Sequence, residues 1–263
     1  MWTFLTETLT LMFYGVHKDA ATLQEILDKS SFAGVLVSDD AAVYQGFSKA
    51  QKCWAHLLRK AIKLTLQAPE NPVYREFADS LLAVYRRAKR LKTDRRYSAA
   101  GREQAVAKLD DELLSLCAGR WFDESRDMEG VAGDYRRLVA EIMRLMLARE
   151  LFVFVTTDGV AGNNNASERE LRDDAQRRRT GRTNKTPRGA KRQTIITSVL
   201  RSLGRRLKPF RLSTVIAEIV RWCERGRSCF HEEAKSAGLV GPPRDPTVPP
   251  LVDRLILNAD PAS

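Results

Sequence analysis

Residues 33–40 are AGVLVSDD, a compact apolar run from Ala33 to Ser38 that ends in two adjacent carboxylates. A short continuous apolar run between helical patterns is typical of a strand buried on both faces, as in mixed α/β sheets. Ligands bind beyond the C-terminal ends of the strands in such sheets, which is where Asp39 stands. The run therefore predicts an α/β fold with a candidate site at the end of this strand.

The neighbouring sequence predicts further short elements of the same sheet. Residues 2–16 predict two strands separated by a Thr-rich turn, because threonine and aromatic side chains favour strands. A short helix is predicted to begin at Asp19, and another strand to cover Ala50 to Cys53. Residues 151–157 are a further β-like apolar run.

Apolar residues recur at helical spacing from about Trp54 to Glu150, and again after residue 165. The first of these segments predicts an all-helical insertion packed beside the sheet, whose apolar stripes form core. Five of the ten prolines fall between Gly241 and Pro250, which indicates a stiff tail. We therefore predict four regions: a partial sheet region at 1–53, a helical insertion at 54–150, C-terminal helices with a basic loop at 151–230, and a Pro-rich tail at 231–263.

Composition excludes several classes of protein. The chain has 263 residues, 43% of them hydrophobic, which is enough to bury a core and too apolar for wholesale disorder. No apolar run approaches the roughly 18 residues that a membrane helix needs, and Met1 to Tyr14 lacks the basic start of a signal peptide. Four cysteines are too few for a disulfide scaffold, so we expect a reducing cytoplasm.

The net charge of +11 predicts a polyanionic partner, and the charge is concentrated in one segment. Residues 169–211 hold fifteen Lys and Arg against three acidic residues, so the rest of the chain is close to neutral. Thr, Asn, Gly and Pro interrupt residues 180–189, which predicts a basic loop between two helices. Arginine predominates and suits bidentate phosphate contact, so we favour nucleic-acid binding over a merely solvated helix face.

Two carboxylates stand out, and each has a structural alternative. Asp39 is a candidate Mg²⁺ ligand or the cap of the next helix. Glu168 is a candidate metal ligand on the first turn of a helix, or half of a capping box with Asn165. Spacing alone does not choose between these roles. Cys53 and His56 have the spacing of half a zinc site, but no second pair completes it, and we disfavour structural zinc.

Four motifs in order resemble the DDE transposases of the insertion sequence 66 family, over roughly residues 30–225. The motifs are Val37-Ser38-Asp39 with Tyr44; Cys53-Trp54-Ala55-His56-Leu57 with Arg59-Lys60; Asn164-Asn165-Ala166-Ser167-Glu168-Arg169 with Leu171-Arg172; and Arg188-Gly189-Ala190-Lys191-Arg192 before an apolar helix.

The resemblance implies an RNase H-like mixed sheet with a large helical insertion between the second catalytic Asp and the catalytic Glu. It implies two Mg²⁺ (or Mn²⁺) ions held by three carboxylates, which cut and join DNA strands by phosphoryl transfer. Asp39 matches the second Asp, Glu168 matches the Glu, and His56 falls in a motif near the active site. The implied setting is the bacterial cytoplasm, in association with the nucleoid.

The implied DNA partners are the transposon ends and the target. Arg169 and Arg172 would face the scissile phosphates, and residues 177–192 would track the DNA backbone. The basic side chains of that second segment are Arg177, Arg178, Arg179, Arg182, Lys185, Arg188, Lys191 and Arg192.

The first catalytic Asp of the family has no counterpart here. It belongs on a strand upstream of Trp2, whereas Glu7 and Asp19 suit a turn and a helix cap. We therefore expect a sheet that lacks its first strand and has exposed edges, in a truncated or split transposase that is inactive alone. Its protein partner would be an upstream transposase fragment or a second copy of the chain.

Two other functions remain open. One is a noncatalytic DNA-binding protein derived from a transposase, in which the carboxylates only cap helices. The other is a helical scaffold that binds RNA, which we disfavour because no aromatic-rich RNA-binding motif is present.

Overall fold

The computed structural model describes residues 1–121, 129–180, 184 and 186–236. These residues form a mostly helical structure with two two-stranded sheets, so the mixed α/β composition is confirmed. The strands are β1 (Trp2–Leu5), β2 (Thr10–Phe13), β3 (Leu36–Ser38) and β4 (Ala50–Lys52). The helices are α1 (Ala20–Ile26), α2 (Trp54–Gln67), α3 (Pro72–Thr93), α4 (Ala99–Trp121), α5 (Gly130–Leu147), α6 (Val153–Thr156), α7 (Asn165–Arg179), α8 (Pro187–Arg206), α9 (Leu212–Arg225) and α10 (His231–Ser236).

The contacts divide the chain into two compact units. The hairpin unit comprises Met1–Gly34, Ala42–Ser48 and the described part of Asn165–Ser263. The helical unit comprises Val35–Ala41 and Lys49–Asn164. The first predicted strand pair thus belongs to one unit, and the strand before Asp39 belongs to the other.

The hairpin unit is built on the predicted β1–β2 hairpin, which the structure confirms. The strands are antiparallel, with Trp2 opposite Phe13 and Leu5 opposite Thr10. Helix α1 begins after Asp19, whose Oδ1 accepts a hydrogen bond from the Thr22 N–H at 2.7 Å. This is the predicted N-cap, because the carboxylate satisfies a backbone donor that the first helical turn leaves unpaired.

Helix α8 covers the free edge of β2 with a row of hydroxyl groups. Backbone N–H groups of Thr10 and Met12 donate to Ser202 Oγ at 3.0 Å and Ser198 Oγ at 2.9 Å, respectively. The Tyr14 N–H donates to Thr194 Oγ1 at 3.1 Å. These helix residues are four apart and the strand residues are two apart, so the helix supplies acceptors along the edge. The expected exposed edge is therefore wrong for β2.

A charge network joins α7 to α8 within the same unit. Arg201 of α8 donates to Glu170 Oε2 at 3.0 Å and to Asp174 Oδ2 at 3.2 Å. Arg205 donates to Glu170 Oε1 at 2.8 Å. The Asp174 side chain is only 2% exposed, and burial together with this nearby carboxylate raises the pKa of Tyr14 to about 12. The network fixes one face of α7 against α8, because a buried carboxylate requires a cationic partner.

The helical unit pairs β3 with β4 in parallel and packs helices α2–α6 around a shared core. The strand before Asp39 is shorter than predicted and covers Leu36–Ser38. The prediction that it is buried on both faces is wrong, since Leu36 and Val37 are only half-buried in this two-stranded pair. The largest buried side chains of the core include Trp54, Leu57, Phe77, Leu81, Leu113, Leu138, Ile142 and Phe154.

The prediction of β-like structure at residues 151–157 is also wrong, because this segment contains the short helix α6. Side chains of other elements satisfy its backbone instead of a partner strand. Gln51 Nε2 donates to the Leu151 carbonyl at 3.0 Å, and Gln51 Oε1 accepts from the Phe154 N–H at 2.9 Å. The side chains of Leu151 and Phe154 are buried in the helical core. An apolar run by itself therefore does not distinguish a strand from a buried helical turn.

Asp110 of α4 predicts a pH-dependent stability. Burial raises its pKa to about 6, although the charge of Arg149 opposes this shift. The folded-state pKa then exceeds the unfolded value near 4, so ionised Asp110 destabilises the fold above pH 6 and has no such effect below pH 4.

We expect Asp110→Asn to stabilise the protein by about 1 kcal/mol at pH 7.5, allowing for partial exposure. Urea unfolding at pH 7.5 and pH 4 measures this gain, which should vanish at pH 4. The exposed-site control Glu103→Gln should show no pH-dependent gain, and a gain for Asp110→Asn that is independent of pH would contradict the interpretation.

Candidate active site

Asp39 directly follows β3, as the sequence predicts for a carboxylate at the end of a strand. It is half-buried, and its Oδ1 accepts a hydrogen bond from the Ala41 N–H at 3.2 Å. Oδ2 makes no hydrogen bond to any described residue. The neighbouring Asp40 instead forms an ion pair with Arg144 of α5. One oxygen of Asp39 thus caps a turn, while the other is available to a ligand.

A chain of hydrogen bonds brings an amide close to the end of β3. The Cys53 N–H donates to the Ser38 carbonyl at 2.8 Å, and the Asn164 N–H donates to Cys53 Sγ at 3.4 Å. Asn164 Oδ1 is buried and has no hydrogen-bond partner among the described residues. A buried amide oxygen without a donor is costly, which makes it a candidate ligand for a cation. This role of Asn164 was not predicted from the sequence, although the run of three asparagines at 163–165 was a signal.

A buried lysine also contacts this strand end. Lys52 of β4 is 3% exposed, and its Nζ donates to Ser38 Oγ and to the Asp39 carbonyl, both at 3.4 Å. The ammonium group fixes the backbone at Asp39 without pairing with its carboxylate. Lys52 was not predicted as a site residue either. The signal was a charged residue inside a predicted strand, a position where lysine is rarely buried without a partner.

The Cys-Trp-Ala-His motif begins α2 and has a mainly structural role at its tryptophan. Trp54 is buried, and its Nε1–H donates to the Leu151 carbonyl at 2.6 Å. Its ring stacks on Tyr85 with centroids 5.2 Å apart. His56 is half-buried in the first turn of the same helix. Like Asp39 and Asn164, His56 belongs to the helical unit.

Glu168 lies in the first turn of α7, in the hairpin unit. It is half-buried, and the N-terminal end of a helix favours a negative charge there. Helical spacing places Glu168 and Arg172 one turn apart on one face, while Glu170 and Asp174 bind α8. Whether Glu168 is a ligand or a helix cap remains a prediction.

The predicted DNA-contacting side chains divide into four groups. Five are exposed and have no ion pair within the described chain: Arg169, Arg172, Arg179, Arg188 and Arg192. Arg177 is exposed but lies 3.9 Å from Asp174, and Lys191 is half-buried. The backbone of Arg178 is helical, but its side chain is not described. Arg182 and Lys185 lie outside the described residues.

The free carboxylate oxygen of Asp39 and the buried amide oxygen of Asn164 are the types of ligand that a hard divalent cation prefers. Among the described residues, no three His, Cys, Asp or Glu side chains cluster as a ready metal site. Asp39 and Asn164 are therefore the candidate ligands in the helical unit, and Glu168 is the candidate in the hairpin unit.

A model of the IS66 transposase family matches residues 1–192, well over half of the chain. The chain belongs to the IS66 transposase family. The match covers Asp39, Glu168 and the start of α8, so the family's general activity, DNA transposition, and its DNA partner apply to this chain. Searches of curated proteins and of solved structures give no match. No helix in the described part of this IS66 family member is long and apolar enough to cross a membrane.

Proposed function

We propose that this chain is the catalytic region of a DDE-type transposase that cuts and joins DNA strands by two-metal phosphoryl transfer. The observation that carries the proposal is Asp39 at the end of β3, with one free carboxylate oxygen, linked through Ser38 and Cys53 to the orphaned oxygen of Asn164. We further propose an RNase H-like fold. The antiparallel β1–β2 hairpin of the hairpin unit and the parallel β3–β4 pair of the helical unit both support that assignment.

In this proposal Asp39 of the helical unit and Glu168 of the hairpin unit are each carboxylate ligands for Mg²⁺ or Mn²⁺, and Asn164 of the helical unit is a neutral oxygen ligand. Bound divalent metal would activate the attacking oxygen and stabilise the leaving oxygen of a displacement at phosphorus. Lys52 holds the backbone of Asp39 in place. His56 lies on the first turn of α2, in the motif that the resemblance places near the active site. The chain's own share of the chemistry is to orient these oxygens and to bind the phosphate backbone.

The exposed arginines of α7 and α8 are the proposed DNA contacts. Arg169, Arg172 and Arg179 lie on α7 beside Glu168, and Arg188 and Arg192 lie on the first two turns of α8. Their guanidinium groups lack acidic partners among the described residues, so they can bind phosphate without breaking an ion pair. The same surface would contact the transposon end or the target.

The alternative is a noncatalytic DNA-binding protein with the same basic surface. The Asp39 turn supports it, because that carboxylate already caps the Ala41 N–H. This alternative predicts that DNA binding is equally strong with and without Mg²⁺ and is unaffected by Glu168→Gln. The catalytic proposal predicts that Mg²⁺ strengthens binding, because metal at Asp39 and Glu168 would attract the phosphates, and that Glu168→Gln removes this gain.

The DNA contact of α8 is testable by its salt dependence. We expect Arg188→Gln/Arg192→Gln to reduce the slope of log affinity against log salt by about 2, since each lost phosphate contact removes about 0.9. Affinity for a duplex of about 30 bp should fall roughly tenfold at 0.1 M salt. Fluorescence anisotropy titrations at several salt concentrations measure both quantities.

A matched control has the same change in net charge on the same unit. Lys18→Gln/Arg225→Gln alters two exposed cations away from α7 and α8 in sequence, and should leave the slope unchanged. Equal reductions in both variants would show a general charge effect and contradict the assignment to α8. Binding is compared in Mg²⁺ and in chelator, so the same titrations distinguish the two functions.

A further inference from the structure

Helix α3 and the turn after it carry a second concentration of positive charge. Residues 86–96 hold seven Lys and Arg and one acidic residue, Asp94. A count over the whole chain conceals this run, because acidic residues elsewhere in the same region balance it. The run lies entirely in the helical unit, whereas the basic segment of α7 and α8 belongs to the hairpin unit.

Three of these seven cations already have partners within the fold. Arg87 forms an ion pair with Glu112 of α4, and Lys92 donates to the Val160 carbonyl. Arg96 donates to Asp94 through Nε at 3.0 Å and Nη2 at 2.7 Å, and these hydrogen bonds lower the pKa of Asp94 to about 2. These three cations stabilise local structure and are therefore not available to an external partner.

The other four, which we call the α3 basic stripe, face solvent: Arg86, Lys89, Arg90 and Arg95. Arg86, Lys89 and Arg90 have the i, i+3, i+4 spacing of one helix face, and Arg95 follows the end of the helix. Arg86 and Arg90 lie opposite the buried positions of α3, which include Phe77, Leu81 and Val84. The stripe is therefore directed away from the helical core.

No carboxylate neutralises the arginines of the stripe among the described residues. Asp79, one acid on the exposed side of α3, is bound by Arg75 at 2.9 Å. Asp94 and Glu112 are bound by Arg96 and Arg87, as described above. Arg86, Arg90 and Arg95 have no ion pair in the described chain, and Lys89 only lies over the Tyr85 ring, 5.9 Å from its centroid. Asp79, Asp94 and Glu112 are thus each paired with a cation outside the stripe, and this leaves the arginines of the stripe uncompensated, an arrangement that suits an anionic partner.

We propose that the α3 basic stripe binds the phosphate backbone of duplex DNA, as a contact surface additional to that of α7 and α8. The proposal rests on the proposed function, since it takes DNA as the partner. Arg86 and Arg90 are one helical turn, about 6 Å, apart, and duplex DNA presents one charge per roughly 1.7 Å of its axis. Two adjacent arginines on one turn can therefore contact separate phosphates. An anionic membrane fits less well, because the large apolar residues of α3 from Tyr74 to Leu91 are buried or half-buried, and the exposed Tyr97 after the stripe offers one ring for insertion.

The test is the salt dependence of duplex binding by Arg86→Gln/Arg90→Gln in the full chain. We expect the slope of log affinity against log salt to fall by about 2 and affinity to fall roughly tenfold at 0.1 M salt. The matched control is Arg75→Gln/Lys108→Gln, which removes two exposed cations from α3 and α4 of the same unit. It should leave the slope unchanged. Circular dichroism melting checks that each variant is folded.

The outcomes separate this proposal from the proposed function. If Arg188→Gln/Arg192→Gln lowers the slope and Arg86→Gln/Arg90→Gln does not, the stripe is not a DNA contact and the α7–α8 surface stands. If the wild-type chain does not bind duplex DNA, both proposals fail. If wild type binds phosphatidylserine vesicles and Arg86→Gln/Arg90→Gln loses that binding with an unchanged DNA slope, the stripe is a membrane contact and the DNA proposal for it is overturned.

Discussion

Replacing Arg201 with methionine is expected to lower the free energy of unfolding by about 3 kcal/mol or more. Arg201 is the cation that binds both Glu170 and Asp174. Its removal leaves the Asp174 carboxylate, which is 2% exposed, with Arg177 at 3.9 Å as its remaining ion-pair partner in the described chain. Removing one partner of a buried ion pair is costly because the remaining charge is neither solvated nor paired. Methionine preserves most of the side-chain volume, so the loss reports charge more than packing.

Urea unfolding of wild type and variant at pH 7 measures the effect. Arg192→Met is the matched control on the same helix, since Arg192 is exposed and has no ion pair among the described residues. Its effect should stay within about 0.5 kcal/mol. Adding Asp174→Asn to Arg201→Met should recover part of the loss, because the uncompensated charge is then gone. A loss for Arg201→Met as small as that of the control would show that the network contributes little.

Local patterns were sufficient to predict most elements of this fold. Threonine and aromatic content predicted the two strands of the β1–β2 hairpin, and helical spacing predicted the helical character of residues 54–150 and of the segment after residue 165. Asp19 was predicted to begin α1, and it does. These features depend on residues near each other in the chain, where side-chain periodicity and capping chemistry act directly.

Features that depend on partners far apart in sequence could not be predicted. The run at 151–157 forms a helical turn because Gln51, a hundred residues earlier, satisfies its backbone. The hydroxyl groups of α8 were unremarkable in sequence, yet they cover the edge of β2. The contacts of Lys52 with the Asp39 carbonyl and of Asn164 with Cys53 also join residues far apart in sequence. The sequence does not show which backbone group a polar side chain will hydrogen-bond when that group lies far away along the chain.

Charge counts were equally limited. The sequence located the basic segment of residues 169–211, but it could not tell committed cations from free ones. Arg201 and Arg205 belong to that segment and are used within the fold, whereas Arg188 and Arg192 are free of ion pairs in the described chain. The α3 basic stripe shows the converse, because a near-neutral region contains unpaired arginines. Pairing, which needs the structure, decides which charges are available to a partner.

The combined replacement Asp39→Asn/Glu168→Gln is expected to abolish specific binding of divalent metal. Both side chains lose the negative charge that binds Mg²⁺ or Mn²⁺, while their size is retained. Asp39 keeps an oxygen that can accept the Ala41 hydrogen bond, so the turn after β3 should survive. We expect the dissociation constant for Mn²⁺, measured by isothermal titration calorimetry, to rise at least tenfold, equivalent to about 1.4 kcal/mol of binding free energy.

Asp40→Asn/Glu7→Gln is the matched control, because it removes the same charge by changing one acid in each unit, namely the sequence neighbour of Asp39 and an exposed acid of the hairpin unit. Asp40 is already paired with Arg144, and Glu7 is an exposed turn residue, so neither should contribute a ligand. If the control weakens Mn²⁺ binding as much as the site variant, the metal is held by general surface charge. If neither variant changes the titration, Asp39 and Glu168 serve only as caps. The noncatalytic DNA-binding function then accounts for both carboxylates, because capping requires an acceptor oxygen and the amides retain one.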